Sequence, residues 1–309
     1  MKGLELSRAY YEEIGQPMLK ELFPGVYPRA AAGLAGEGSE CYGWDDELSR
    51  DHDFGPGFCI WLSDEDYLKY GKDLQRAYDA LPKEFGGFPA RNTSSRGDGR
   101  VGVMPLRAFY ARYIGEEQPP RSNLRWFMMQ DEFLSSATNG EVFYDGAGEF
   151  TRVRDALLAY YPEDVRIKKI VACAGKMAQA GQYNYLRCVK RREYVAAQFA
   201  LSEFMSFASR MVYLLNKVYR PYYKWCHRGM KDFRLVPEAY GLFDRLALSD
   251  AADVNGRTAL IEELCSLVLK ELQAQGLTDL SDDFLEAHLD TMMRRISDPQ
   301  IRYMHVLQY

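Results

Sequence analysis

The sequence predicts an α+β chain: a unit of strands interleaved with helices over residues 1–150, then an all-helical domain over residues 151–309. Three observations carry that expectation. In the first half the apolar residues fall in short β-prone runs between Gly- and Pro-rich turns. Beyond about Thr151 strand-like alternation gives way to long helical periodicity. Finally, 309 residues, 47% of them apolar, suffice for one large domain or two ordinary ones, each with a core of its own.

Residues 4 to 22 place Leu4, Tyr11, Ile14, Met18 and Leu22 at three-to-four spacing, a helix with one buried stripe that Pro24 and Gly25 end. Ala30 to Ala35 is small and apolar, a short buried strand, and Gly36-Glu37-Gly38-Ser39 forces a sharp turn. Phe58 to Leu62 is a β-prone run. Ser63 with Asp66 forms a capping box opening a helix whose apolar positions are Leu68, Leu74, Ala77 and Leu81. Gly86 to Arg100 reads as a polar surface loop able to cover a ligand, and Arg100 to Leu106 and Glu141 to Tyr144 are further strand candidates. In the second half, Val165 to Ala180, Arg191 to Lys217, Arg257 to Gln275 and Asp282 to Arg295 each read as a helix.

Composition narrows the function classes. No apolar run approaches the roughly 18 to 20 residues of a membrane span, and MKGLELSRAYYEEIG reads as an amphipathic helix start, not a secretion signal. A cytoplasmic protein is the expectation. The six cysteines lie scattered, with no CxxC pair, and read as free thiols. A net charge of -5 gives no general attraction to nucleic acid, which disfavours such a partner without excluding it.

The segment with chemistry in it follows the Gly38-Ser39 turn. A short helix over Glu40 to Leu48 leaves room for a strand carrying Asp51, His52 and Asp53, whose side chains two apart point to one face. Asp51 and Asp53 then share metal ions that also take triphosphate oxygens, and hard oxygen donors suit Mg²⁺ (or Mn²⁺). Gly38 allows close backbone approach, and Ser39 with free N–H groups behind it binds phosphate. The plainer alternative is that both aspartates only cap or solvate a loop beside Gly55-Pro56-Gly57.

On these residues the chain resembles the nucleotidyltransferase superfamily, whose signature is a GS turn followed by a D-x-D strand; the matching stretch is GEGSECYGWDDELSRDHDFGPGF, Gly36 to Phe58. More closely it resembles an uncharacterised bacterial family of nucleotidyltransferase-like proteins, through that stretch, Gly140 to Pro162 and Val218 to Trp225. The resemblance implies a mixed sheet flanked by helices, followed by a helical bundle. It also implies a third carboxylate on the next core strand. If that strand is Arg100 to Leu106, it holds no acid, and Asp98, Glu141 and Asp145 are the substitutes.

Weaker signals surround this core. Asn92, Arg96 and Arg100 could contact triphosphate, or simply be solvated. Tyr219 to Trp225 gathers cations and aromatics, Lys224 among them, where Pro221 breaks a helix, and could stack a base and bind phosphate or form a packed inter-helix turn. Arg220 and His227 loosely fit the spacing of HEPN-type ribonucleases. Lys190 to Arg192 read as a solvated basic face, and His288 and His305 as structural. The resulting expectation is a metal-dependent enzyme moving a nucleoside monophosphate from ATP or another triphosphate to a hydroxyl-type acceptor. Its counterpart is a binding module that keeps the nucleotide pocket without transfer.

Overall fold

The computed structural model describes residues 1–51, 53–91 and 99–309. The chain forms two compact units: Met1–Pro119 with Phe133–Ala159, and Pro120–Glu132 with Tyr160–Tyr309. A short stretch before Phe133 thus belongs with the helical second half, a detail that local texture does not encode.

In the first unit, α1 (Gly3–Tyr10) and α2 (Gln16–Leu22) are joined by a π-type turn at Tyr11–Gly15. The wider turn shifts the expected stripe. Leu6, Tyr10, Tyr11, Met18 and Leu19 are the buried residues, whereas Leu22 is 63% exposed. Four strands follow in one mixed sheet: β1 (Ala31–Leu34), β2 (Cys59–Leu62), β3 (Gly102–Pro105) and β4 (Glu141–Asp145), in the order β3-β2-β1-β4. β1 is antiparallel to β2 and β4, and β2 is parallel to β3.

Side chains of β2 alternate between two apolar layers, as a pleat requires. Ile60 and Leu62 join Tyr10, Leu19, Ala32 and Leu74 on one face. Trp61 points the other way, stacked at 3.9 Å on Phe150 and edge-on to Phe109. The first face is thus covered by α1, α2 and α3 (Asp64–Asp79), the second by α4 (Leu106–Ile114) and a later helix containing Phe150. Ser63 caps α3 as expected, its hydroxyl accepting from the Asp66 N–H at 3.1 Å. Leu68 of α3 is 87% exposed, so the buried face runs through Leu74 instead.

The second unit begins with α5 (Asn123–Met128), and the chain passes back to the first within α6 (Asp131–Thr138) and α7 (Glu149–Leu158). Its body is α8 (Glu163–Met177) with a π-type continuation to Tyr185, α9 (Leu186–Lys190), α10 (Tyr194–Leu215), α11 (Tyr223–Gly229), α12 (Ala239–Leu248) and α13 (Val254–Ala274). The helix expected over Asp282 to Arg295 is a 3₁₀ turn, Leu285–His288, running into α14 (Leu289–Met293). No helix of the described residues is long and apolar enough to cross a membrane.

A buried ionic cluster holds this unit together. Asp131 accepts from the Tyr161 hydroxyl at 2.6 Å, from Arg210 Nη1 at 3.0 Å and from the Tyr309 hydroxyl, with the Lys169 ammonium at 3.6 Å. Burial pushes the Asp131 carboxyl up, but Lys169, the two phenols and Arg210 together hold it below its ordinary 3.8. Its stabilising contribution is therefore present above about pH 4 and lost as pH falls through the lowered pKa. Asp131→Asn, which removes the charge but not the volume, should cost about 3 kcal/mol or more at pH 7, measured by urea unfolding of the whole chain.

Candidate functional site

The strand register gathers a set of loops at one end of the sheet. Gly33 of β1 faces Cys59, the first residue of β2, and Cys59 faces Gly102, the first of β3. The chain leaving β1 and the chains entering β2 and β3 therefore meet at the same edge. They are Ala35 to Ser39, Asp53 to Phe58, and Gly99 to Val101.

The turn after β1 needs its glycines. Gly36 and Gly38 have φ of 116° and 112°, where a side chain is strained. Asn139 clamps the turn, its Oδ1 accepting from Gly36 N at 2.8 Å and its Nδ2 donating to Gly36 O at 2.7 Å. Ser39 is half-buried and precedes a single 3₁₀ turn, Glu40–Tyr42. A second 3₁₀ turn, Glu47–Arg50, is capped by Asp46.

Two expectations fail here. No helix spans Glu40 to Leu48, because Gly43 in a left-handed conformation ends the first turn and Asp46 starts a new one. Nor do Asp51 and Asp53 lie on a strand. Asp53 has φ 55°, far from the extended backbone a pleat needs, and β2 begins only at Cys59, after Gly55 (φ 136°) and Pro56. Without a pleat, the backbone does not set the two carboxylates on one face; Asp51 is exposed and Asp53 mostly buried at its side chain.

A residue that the sequence pattern did not single out organises the loops. Arg91 Nη2 donates to both Glu40 carboxylate oxygens at 2.8 and 2.9 Å, and its Nη1 donates to the Asp53 carbonyl at 2.7 Å. Each side chain of the pair is 7% exposed. Burial pushes the Glu40 carboxyl up against the opposing pull of Arg91. No periodicity marks Arg91 in its loop; only the presence of one cation beside a buried acid could have drawn attention to it.

A chain of charges runs along the edge beside this pair. Arg100 Nη1 donates to Asp53 Oδ2 at 3.0 Å, Arg100 Nη2 lies 3.4 Å from Glu37 Oε2, and Arg112 Nη2 lies 3.1 Å from Glu37 Oε1. Arg100, Glu37 and Arg112 border a cavity of about 160 Å³ whose other walls include Ala35, Met104, Phe109 and Tyr113. Glu37 and Arg112 were not expected here. Burial pushes the nearby Cys59 thiol up to about 12 and that of Cys41 well above its ordinary value, which favours the protonated form of both.

The described substitutes for a third carboxylate, Glu141 and Asp145, have other partners. β3 contains no acid, Glu141 pairs with Arg8, and Asp145 accepts from the N–H groups of Gly148 and Thr151 at the start of α7. Asn92, Arg96 and Asp98 lie outside the described residues, as does His52. Among the described residues no group of three or more His, Cys, Asp or Glu side chains is arranged to hold a metal ion. Asp51 and Asp53 carry the carboxylate type of donor that suits Mg²⁺, and the Asp53 carboxylate is paired with Arg100.

Lys224 belongs to the second unit, on α11, with its ammonium 5.0 Å from the Trp225 ring. Arg220 is buried and bonded to Glu132 Oε1 at 2.8 Å and Ser209 Oγ at 3.0 Å, while His227 stacks on Tyr240. Pro221 thus sits in a packed turn. His288 is buried between Thr278 and the Asp282 carbonyl, a structural role.

Residues 126–226, less than half of the chain, match a family described as Domain of unknown function (DUF4037). The match includes Gly140 to Pro162 and Val218 to Trp225, two of the three stretches on which the sequence resembles an uncharacterised nucleotidyltransferase-like family, and excludes Gly36 to Phe58. No curated protein matches. The crystal structure of a nucleotidyltransferase-like protein from Exiguobacterium sibiricum 255-15 aligns over 94% of this chain and 89% of its own, with 13% identity and a TM-score of 0.34. So remote a likeness decides nothing about chemistry.

Removing the Arg91 cation should strand a buried carboxylate. Arg91→Met is expected to cost about 3–5 kcal/mol at pH 7, read by urea unfolding. With its pKa raised above the unfolded value, Glu40 binds a proton more readily in the folded state, so the loss should shrink as pH falls towards 4.5. Adding Glu40→Gln should recover most of it.

Proposed function

We propose that the first unit binds a nucleoside triphosphate, most simply ATP, together with Mg²⁺ or Mn²⁺, and transfers its nucleoside monophosphate to a hydroxyl-type acceptor. The observation that carries the reading is the continuous line Asp53–Arg100–Glu37–Arg112 beside the glycine turn, at the end of the sheet where these loops converge. Carboxylates for a metal and guanidiniums for phosphate within one such line fit a metal–triphosphate ligand better than any neutral molecule.

In this reading Asp51 and Asp53 are the residues that would hold the metal, which neutralises triphosphate charge when bound. Gly38 admits phosphate to the backbone, and Ser39 offers its hydroxyl. The acceptor oxygen bonds to the α-phosphorus, the bond from that phosphorus to the bridging oxygen breaks, pyrophosphate leaves, and the hydroxyl proton passes to solvent. The acceptor is a small molecule or a protein side chain, since a net charge of -5 does not favour a nucleic acid.

A second reading has an observation of its own. Because β3 carries no acid and Glu141 and Asp145 are engaged elsewhere, nucleotide binding without transfer is the alternative. Calorimetric titration with ATP, GTP, CTP and UTP, with and without Mg²⁺, followed by pyrophosphate release in cell extract, separates the two. Transfer predicts metal-dependent binding lost in Asp51→Asn/Asp53→Asn, with pyrophosphate released. Binding without release supports the second reading, and no binding of any triphosphate contradicts both.

A further inference from the structure

The cavity beside the glycine turn has an uneven lining. One side is apolar, from Phe109, Tyr113 and Met104; the other presents two guanidiniums, Arg100 and Arg112, with the Glu37 carboxylate between them. Its volume of about 160 Å³ is too small for a nucleoside, whose sites span several hundred Å³, but is enough for an oxyanion with some of its water. Arg100 reaches it from the chain entering β3, and Arg112 from the last turn of α4.

Glu37 is placed to leave. Its side chain is 41% exposed and that of Arg112 40% exposed, so the ion pair between them is screened and weakly held. Among the described residues the buried Nε of Arg100 has no hydrogen-bond partner, so its fork is incompletely used by the carboxylates it touches. A phosphate group carries more charge and more acceptor oxygens than a carboxylate and accepts two forks at once.

We infer that Arg100 and Arg112 form a clamp for the outer phosphates of a triphosphate, and that Glu37 is a tethered carboxylate occupying the clamp until phosphate replaces it. The inference rests on the nucleotide reading of this site and assigns it two residues, Glu37 and Arg112, that the metal chemistry does not use. Asp53 fits the same exchange: a carboxylate drawn to a metal would release Arg100 to phosphate.

The test uses inorganic tripolyphosphate, titrated calorimetrically into the whole chain at low salt with chelator present. Wild type should bind it; Arg112→Ala should bind about tenfold more weakly or worse, as loss of a charge-assisted pair implies. Arg112→Lys should recover only part, because an ammonium lacks the fork. Glu37→Gln, which removes the competing charge, should bind several-fold more tightly. Thermal unfolding of each variant checks that the fold is kept, which the exposure of Arg112 leads us to expect. Wild type that ignores tripolyphosphate, Arg112→Ala that binds like wild type, or Glu37→Gln that binds more weakly would each overturn the clamp. A parallel titration with magnesium nucleotides separates the two claims. If they bind through Asp51 and Asp53 while Arg112→Ala and Glu37→Gln have no effect, the clamp is wrong and the nucleotide reading stands. If tripolyphosphate binds as expected and no nucleotide does, the clamp stands as a polyphosphate site alone.

Discussion

A carboxylate and a guanidinium taken out of water together each lose hydration worth several kcal/mol. Only close, multiple hydrogen bonds return it. Glu40 and Arg91 make such bonds at the sheet edge, two of them to one nitrogen, while a second nitrogen of the same fork holds the Asp53 carbonyl. Three segments far apart in sequence are thereby fixed to one another: the turn after β1, the bend before β2, and the start of the loop before β3. The pair contributes little net stability for its cost. What it supplies is a single arrangement for loops that have almost no regular structure, and the line of exposed charge beside it depends on that arrangement.

The two units handle buried charge differently. In the second, Asp131 is surrounded by cations from α8 and α10 and by the phenols of Tyr161, just before α8, and Tyr309. Such a cluster fixes packing. In the first unit the buried pair continues outward through Asp53, Arg100, Glu37 and Arg112, and exposure rises along the line from 8% at the Asp53 side chain to about 40% at Glu37 and Arg112. A gradient of that kind leaves groups both oriented and accessible, which binding requires.

Much of the fold could be read from the chain because its strands are short apolar runs bounded by glycine and proline, and because helical periodicity dominates beyond residue 150. Ala31–Leu34, Cys59–Leu62, Gly102–Pro105 and Glu141–Asp145 all lie where those runs lie. What the pattern could not convey was conformation between the runs. Asp51 and Asp53 have the spacing of one strand face, but Asp53 takes a left-handed φ that alternation cannot reveal. The π-type turn at Tyr11–Gly15 rotates one helix face against another, which is why Leu22 is exposed. Arg91 and Arg112 are single cations whose importance lies wholly in distant partners, Glu40 and Glu37, so no local signal marks them.

The candidate site is therefore one of loops rather than of a strand face, with its acids ahead of β2 and its guanidiniums ahead of β3 and on α4. The most direct test is paramagnetic. Mn²⁺ with ATP, titrated into isotopically labelled protein, broadens amide signals nearest the bound ion. The account predicts that Ser39, Asp51 and Asp53 broaden first, and that excess Mg²⁺ with ATP reverses it. Broadening confined to the helical unit, or none at these residues, would contradict it.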